Sequence, residues 1–299
     1  MGMKIDFTGT GVALVTPFHD DTRPDYDGLR RLVRHVVDGG VDYLVVLGTT
    51  AETATLNPEE KTRIMEVVAE ENAGRLPLVV GIGGNHTLAV ADELQNRNLQ
   101  GYDAILSVSP YYNRPTQEGI YRHFHYLAER SPLPLIVYNV PARTGSNMLP
   151  GTVARLAADC TNIIGVKEAC GEMGQIRELI DRVPPDFRVI SGDDTTAVPT
   201  ILAGGAGVIS VLGQAIPSVF SAMIRAAQQG RAGEAGAMSA SLDPLVELIF
   251  REGNPAGVKA LLDRVGICGP QVRLPLVQAS ADLSRHLEAF MQQFSAKEA

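Results

Sequence analysis

Short apolar runs alternate with longer segments of helical periodicity along almost the whole chain. Eight runs stand out: residues 11–17 (GVALVTP), 43–48 (YLVVLG), 78–82 (LVVGI), 104–109 (AILSVS), 135–139 (LIVYN), 163–168 (IIGVKE), 187–192 (FRVISG) and 207–213 (GVISVLG). Their interiors are apolar at consecutive positions, as expected for parallel strands covered on both faces. Between them, Leu29, Leu32, Val33, Val36 and Val37 follow the i, i+3, i+4 rule, and so do Ile216, Val219, Phe220, Met223 and Ile224. Pro58-Glu59-Glu60 reads as a first helical turn, with proline at the first position and acids against the positive end of the helix dipole.

Eight strands, each followed by a helix, predict an α/β fold of the (β/α)8, or TIM-barrel, type. An open doubly wound sheet is the rival. It would more often carry a glycine-rich dinucleotide loop, but Gly81-Ile82-Gly83-Gly84 fails the G-x-G-x-x-G spacing, and no G-x-x-x-x-G-K-[ST] occurs. The barrel is complete by about Gly230 and is assigned to residues 1–230. Residues 231–299 read as a C-terminal helical extension, with helices over 232–251 and 255–265 and a final one carrying Leu283, Leu287, Phe290, Met291 and Phe294 on one stripe. No proline- or serine-rich linker precedes it, so it is expected to pack on the barrel as an appendage and not as an independent domain.

Composition narrows the function classes. An apolar fraction of 45% supports a large core, and a net charge of −8 disfavours nucleic acid as a partner. No apolar run reaches the roughly 18 residues of a membrane span. The start, Met1-Gly2-Met3-Lys4-Ile5-Asp6, lacks the apolar stretch of a signal peptide, so a cytoplasmic location is expected. Cys160, Cys170 and Cys268 form no C-x-x-C pair and are read as buried small residues. His123 and His125 are two apart in a helical segment and do not share a face, so no metal site is expected there; His35 and His286 are read as solvated.

In such barrels the chemistry lies at the carboxyl ends of the strands. Lys167 is the unusual residue there, because it ends an apolar run and lysine is almost never buried without a partner or a task. Desolvation would lower its pKa from roughly 10.4 and supply a neutral amine able to attack a carbonyl. The plainer reading is an ion pair with an acid. Glu168 is a poor partner, since adjacent strand residues face opposite ways. Tyr138, at the end of the preceding strand, is read either as a proton shuttle or as a packing residue with a satisfied hydroxyl. Thr49 and Thr50 sit in a short polar loop whose hydroxyls and backbone N–H groups suit a carboxylate, though Gly-Thr-Thr is also a plain turn signal. Asp193-Asp194 argues against a phosphate after the seventh strand.

Five longer motifs carry a resemblance: Leu47-Gly48-Thr49-Thr50-Ala51-Glu52, Ser109-Pro110-Tyr111-Tyr112-Asn113-Arg114-Pro115, Tyr138-Asn139-Val140-Pro141-Ala142-Arg143-Thr144-Gly145, Ile164-Gly165-Val166-Lys167-Glu168-Ala169 and Ser191-Gly192-Asp193-Asp194. The sequence resembles the dihydrodipicolinate synthase and N-acetylneuraminate lyase superfamily of class I pyruvate-dependent aldolases over nearly its whole length. Thr49-Thr50 and Arg143 are similar to the synthase branch. The resemblance implies that Lys167 forms an imine with pyruvate, with no metal or organic cofactor. It implies a proton relay of Tyr138, Thr49 and Tyr112, the last reaching in from a neighbouring subunit of a homotetramer built from two tight dimers. Thr50, Gly192 and the backbone at Ile209 would hold pyruvate, and Arg143 the carboxylate of the second substrate, L-aspartate 4-semialdehyde. A sibling aldolase cleaving a sugar-derived 2-keto acid is the alternative. A non-catalytic barrel would require a missing nucleophile or relay residue, and none is missing.

Some positions depart from the family pattern. Ala51 stands where glycine is usual, Gly213-Gln214 where an asparagine is often found, and Asn254-Pro255-Ala256-Gly257-Val258-Lys259 varies a common Asn-Pro-Ile-Pro-Val-Lys. They bear on fine specificity and not on the chemistry. In relatives inhibited by L-lysine a second site binds the amino acid. Asn85, Tyr111 and Thr53-Ala54 are similar to it, but its histidine positions hold Pro58 and Lys61 and its carboxylate position holds Ala89. Weak or absent inhibition is therefore expected.

Overall fold

A computed structural model of the chain describes residues 6–298. The first five residues, on which the reading of the amino terminus rests, lie outside the described residues. Eight strands, β1 (Gly9–Ala13), β2 (Tyr43–Val46), β3 (Leu78–Gly81), β4 (Ala104–Val108), β5 (Leu135–Asn139), β6 (Ile163–Glu168), β7 (Arg188–Ser191) and β8 (Gly207–Ser210), close into a barrel in sequence order. Every neighbouring pair is parallel, including β8 with β1. The helices that follow the strands are α1 (Tyr26–Asp38), α2 (Pro58–Asn72), α3 (Thr87–Asn96), α4 (Gln117–Ala128), the short α5 (Pro141–Thr144) with α6 (Pro150–Asp159), α7 (Met173–Arg182), α8 (Ala197–Leu202) and α9 (Pro217–Gln228). The rival open sheet is excluded by the closed order.

β5 and β6 have the bounds the apolar runs predict. β1 starts two residues early, at Gly9, and residues 14–17 leave the sheet. The cause is the seam with β8. A Cβ on Gly207 would lie 2.1 Å from the Gly9 carbonyl oxygen, so the strands meet through glycine backbones that carry no hydrophobic signal.

Strand alternation sorts the side chains into two layers. Ala13, Val45, Val79, Ile136, Ile190 and Ile209 fill the barrel interior together with Tyr138. Val12, Leu44, Val46, Val80, Val137 and Val166 face the helix layer and join the larger core. The predicted first turn of α2 is a capping box, in which the Asn57 side chain accepts from Glu60 N and the Glu60 carboxylate accepts from Asn57 N.

Beyond α9 come α10 (Ala232–Phe250), α11 (Ala256–Arg264) and α12 (Ala281–Glu298). Leu283 and Leu287 of α12 are fully buried, and the Phe290 and Phe294 rings stack at 6.0 Å. The segment joining α10 to α12 lies against the barrel, where Asn254, Lys259 and Arg273 bond to Thr50 and Glu52 in the loop after β2. His35 is not simply solvated: it is half-buried, with Nε2 3.2 Å from the Ala215 carbonyl oxygen, whereas His286 is exposed. Among the described residues no helix is long and apolar enough to cross a membrane.

Candidate active site

Register places Tyr138 of β5 beside Lys167 of β6, with Ile190 of β7 beyond it. All three share the inward face, and Lys167 Nζ rests 4.4 Å from the centroid of the Tyr138 ring. Lys167 is buried, with 5% of its surface accessible. Its ammonium has no carboxylate partner among the described residues. The ion-pair reading therefore fails for Glu168, which points into the opposite layer, and for every other described acid. Gly192, at the end of β7, leaves room for this side chain. A Cβ there would lie 3.1 Å from Lys167 Cε and 2.7 Å from the Ala169 Cβ.

The loop after β2 bends sharply. Leu47 has φ 56°, and its carbonyl passes so close to Gly81 that a Cβ there would lie 2.1 Å from the oxygen. Thr49–Ala51 then forms a single 3-10 turn. Ala51 is accommodated because the left-handed position falls on Glu52, φ 55°. The Thr50 hydroxyl accepts from Asn254 Nδ2 at 2.9 Å. Thr49 and Tyr138 line one small cavity of about 100 Å³, which abuts a larger one of about 420 Å³ lined by Thr49, Tyr111, Arg143, Thr144, Asn254 and Leu276. Arg143, on α5, is exposed and has no carboxylate partner among the described residues. Tyr112 is not brought to Thr49 or Tyr138. It is 87% exposed with φ 71°, on the rim after β4.

Ile209 is fully buried in the interior of the wall, one residue before the end of β8. The turn after it is held by Asp194, which accepts from Ser210 Oγ at 2.5 Å and Leu212 N at 2.9 Å. Burial pushes the Asp194 carboxyl up to about 6. Asp193-Asp194 is thus no pair of free charges at the mouth, because Asp194 faces inward to a neighbouring strand end. The imidazoles of His123 and His125 diverge: His123 is buried against Thr87 Oγ1 at 2.9 Å, and His125 lies at the surface with Glu129. Cys160 and Cys268 are buried, and Cys170 is half-exposed.

The sequence model of the Dihydrodipicolinate synthetase family matches residues 6–294. The chain belongs to this family. It is 54% identical to 4-hydroxy-tetrahydrodipicolinate synthase of Flavobacterium psychrophilum over 289 residues, covering 97% of this chain and 99% of that one. Among solved structures, dihydrodipicolinate synthase of Thermotoga maritima superposes with a TM-score of 0.94 at 38% identity, covering 97% and 99% of the two chains. A monomeric dihydrodipicolinate synthase variant superposes at 0.93 with 39% identity, covering 96% of each.

Against that family pattern, the segment 254–273 is where reading the motifs fell short. Lys259 is fully buried. Its Nζ donates to Glu52 Oε1 at 2.6 Å and to the Gln271 carbonyl at 2.7 Å, and Arg273 N donates to the second Glu52 oxygen at 2.9 Å. Burial holds the Lys259 ammonium below the usual lysine range, and Glu52 offsets part of that shift. Together with Asn254 on Thr50, this braces the Thr49–Thr50 turn from the C-terminal extension. A lysine in the apolar run 257–262 is the signal that pointed here. The other departure, Gln214, stitches the barrel seam: its Oε1 accepts from Val15 N at 2.9 Å and its Nε2 donates to Ala13 O at 3.0 Å.

Proposed function

We propose that this barrel condenses pyruvate with L-aspartate 4-semialdehyde to give 4-hydroxy-tetrahydrodipicolinate, through an imine on Lys167. The observation that carries the reading is the contrast between the two buried lysines. Lys259 is tied to a carboxylate, whereas Lys167 faces the barrel interior against the Tyr138 ring, with no carboxylate partner among the described residues. An amine that no carboxylate engages is left free to attack a ketone carbonyl. The amine adds to the pyruvate carbonyl, and water leaves as the imine forms. Loss of a methyl proton gives the enamine, whose carbon attacks the aldehyde. The amino group of the second substrate then displaces Lys167 and closes the ring. The iminium is the electron sink, so the chemistry calls for no metal or organic cofactor.

The remaining roles are those the family pattern implies. Tyr138 and Thr49 share a cavity wall and move protons at the carbonyl oxygen. Thr50, Gly192 and the strand end at Ile209 surround the pyruvate carboxylate. Arg143, exposed in the larger cavity, clamps the carboxylate of the semialdehyde. Arg143→Ala should spare imine formation with pyruvate and lower kcat/KM for the semialdehyde. A charged hydrogen bond contributes about 1.5–3 kcal/mol, or roughly one to two decades. Unchanged semialdehyde kinetics would favour a sugar-acid aldolase instead.

A dimer that shares its sites, doubled to a homotetramer, fits the rim of the larger cavity. Tyr112 stands out from the chain, and Leu274 and Val277, 79% and 70% exposed, flank the cavity residues Pro275 and Leu276. Mixing Tyr112→Phe with Tyr138→Phe subunits should restore activity above either parent. No recovery despite proven subunit exchange would assign Tyr112 to its own subunit's site or to none.

Inhibition by L-lysine should be weak or absent. Lys61 lines both cavities, Glu52 is consumed by Lys259, and Glu93 is consumed by Arg97 at 2.6 Å. Two ammonium groups then meet the Lys61 side chain and no unpaired carboxylate among the described residues that line the two cavities, with Glu59 exposed outside them, and each lost charged contact forfeits about 1.5–3 kcal/mol. Initial rates against lysine at non-saturating pyruvate decide it. Strong inhibition below millimolar lysine would contradict this reading of the wall.

A further inference from the structure

Directly behind Tyr138 and Lys167, on the outer face of the same two strands, lies a buried polar cluster that the reaction as described does not use. Asn139 and Glu168 pair across β5 and β6 one residue beyond the reacting pair, and both are fully buried. Glu168 accepts from Asn139 Nδ2 at 2.8 and 3.0 Å, from Cys170 N at 2.8 Å and from Gln175 Nε2 at 3.2 Å. No cation bonds to this carboxylate among the described residues. Asn139 cannot turn its amide without loss, because its Oδ1 accepts from Met148 N at 2.9 Å. Asn147 closes the ring: its Oδ1 accepts from Asn139 Nδ2 at 2.8 Å and Gln175 Nε2 at 3.0 Å, and its Nδ2 donates to Gln175 Oε1 at 2.7 Å.

The connectivity points to a task. Asn147 and Met148 are the exit of the loop whose entry is α5, and α5 carries Arg143. The cluster therefore bolts three things together: the strand of Tyr138, the strand of Lys167 and the loop of Arg143. A buried carboxylate without a counterion is costly, and an apolar packing of the same volume would often be at least as stable. What an apolar packing lacks is direction. Six hydrogen bonds of fixed geometry set where the Arg143 loop stands relative to the lysine.

We propose that the Asn139–Glu168–Gln175–Asn147 cluster is a positioning device, which registers the Arg143 loop against the Tyr138–Lys167 pair and so sets the use of the second substrate. This rests on the function proposed above. Asn139 and Glu168 sit in the strands of Tyr138 and Lys167, whereas Asn147 belongs to the loop and bonds to Asn139 and Gln175 but not to Glu168, so its removal loosens the loop while the bonds of Glu168 to Asn139, Cys170 and Gln175 stay in place.

The test is Asn147→Ala, with Asn147→Ser as a second variant in case the first does not fold. Two quantities are measured well below the thermal midpoint: the rate of borohydride trapping with pyruvate alone, and KM and kcat for L-aspartate 4-semialdehyde. Misplacement of a clamp costs on the order of tenfold or more. KM for the semialdehyde is expected to rise about tenfold while the trapping rate stays within about twofold. A merely structural cluster would lower the thermal midpoint and leave both kinetic quantities as in the parent protein, and that result overturns the proposal. Equal slowing of trapping and condensation overturns it too. If the parent protein itself fails to trap pyruvate or to use the semialdehyde, the functional reading falls first and this inference with it.

Discussion

Lys167→Ala should abolish condensation, with a loss of about 10⁴-fold or more in kcat, as expected when a covalent nucleophile is removed from a set of groups that act as a unit. The fold should survive, because the side chain takes part in no ion pair among the described residues and rests against the Tyr138 ring. Truncation leaves a small void beside Gly192 and Ala169. Circular dichroism and a thermal midpoint near that of the parent protein would separate loss of chemistry from loss of structure. Lys259 cannot replace it, since its ammonium is locked to Glu52. A variant that keeps even a tenth of the parent rate would move the nucleophile elsewhere. Chelators should leave the parent rate unchanged, because the imine takes the place of a metal as electron sink.

Lys259→Met should be the most destabilising single change in the site region. The pair with Glu52 is sealed, with side-chain exposures of 0% and 1%. Removing one partner leaves a buried charge uncompensated, at a cost of about 3–5 kcal/mol. The damage should not stop at stability. Glu52 ends the turn that presents Thr49 and Thr50, and Arg273 reaches back from the same side to Glu60 at 2.6 Å. KM for pyruvate should therefore rise in the variant at temperatures where it remains folded. Adding Glu52→Gln removes the orphan charge and should restore part of the stability, but not the position of the turn. Denaturant titration of the single and double variants, with kinetics alongside, measures both effects. A loss under about 1 kcal/mol would mean that the pair is solvated in a way the burial contradicts.

The barrel was legible because consecutive apolar positions in eight short runs admit few other architectures, and β5 and β6 even have the predicted bounds. The seam between β1 and β8 was not, since glycine against glycine leaves no hydrophobic trace. Lys167 was legible by the argument that a lysine in an apolar strand needs a reason. The same argument applies word for word to Lys259, in the run Gly257-Val258-Lys259-Ala260-Leu261-Leu262. What separates nucleophile from strut is Glu52, 207 residues away in sequence, and no local pattern reports a contact of that range. Asp194 and the cluster around Glu168 were hidden for a related reason. Each is a polar residue at a strand end, where loops also carry polar residues, and only burial reveals that its bonds run to a neighbouring strand. Tyr112, by contrast, is a role that rests on the family resemblance, and within one chain its ring meets nothing of the site.

The central claim is that Lys167 is the amine that bonds to pyruvate. The most direct measurement is reduction with borohydride in the presence of pyruvate, followed by digestion and mass spectrometry of the peptides. The account predicts irreversible loss of activity and the mass of one reduced pyruvate on the peptide containing Lys167, with none on Lys61 or Lys259. A label on either of those lysines with Lys167 unmodified, or full inactivation without any label, would contradict it.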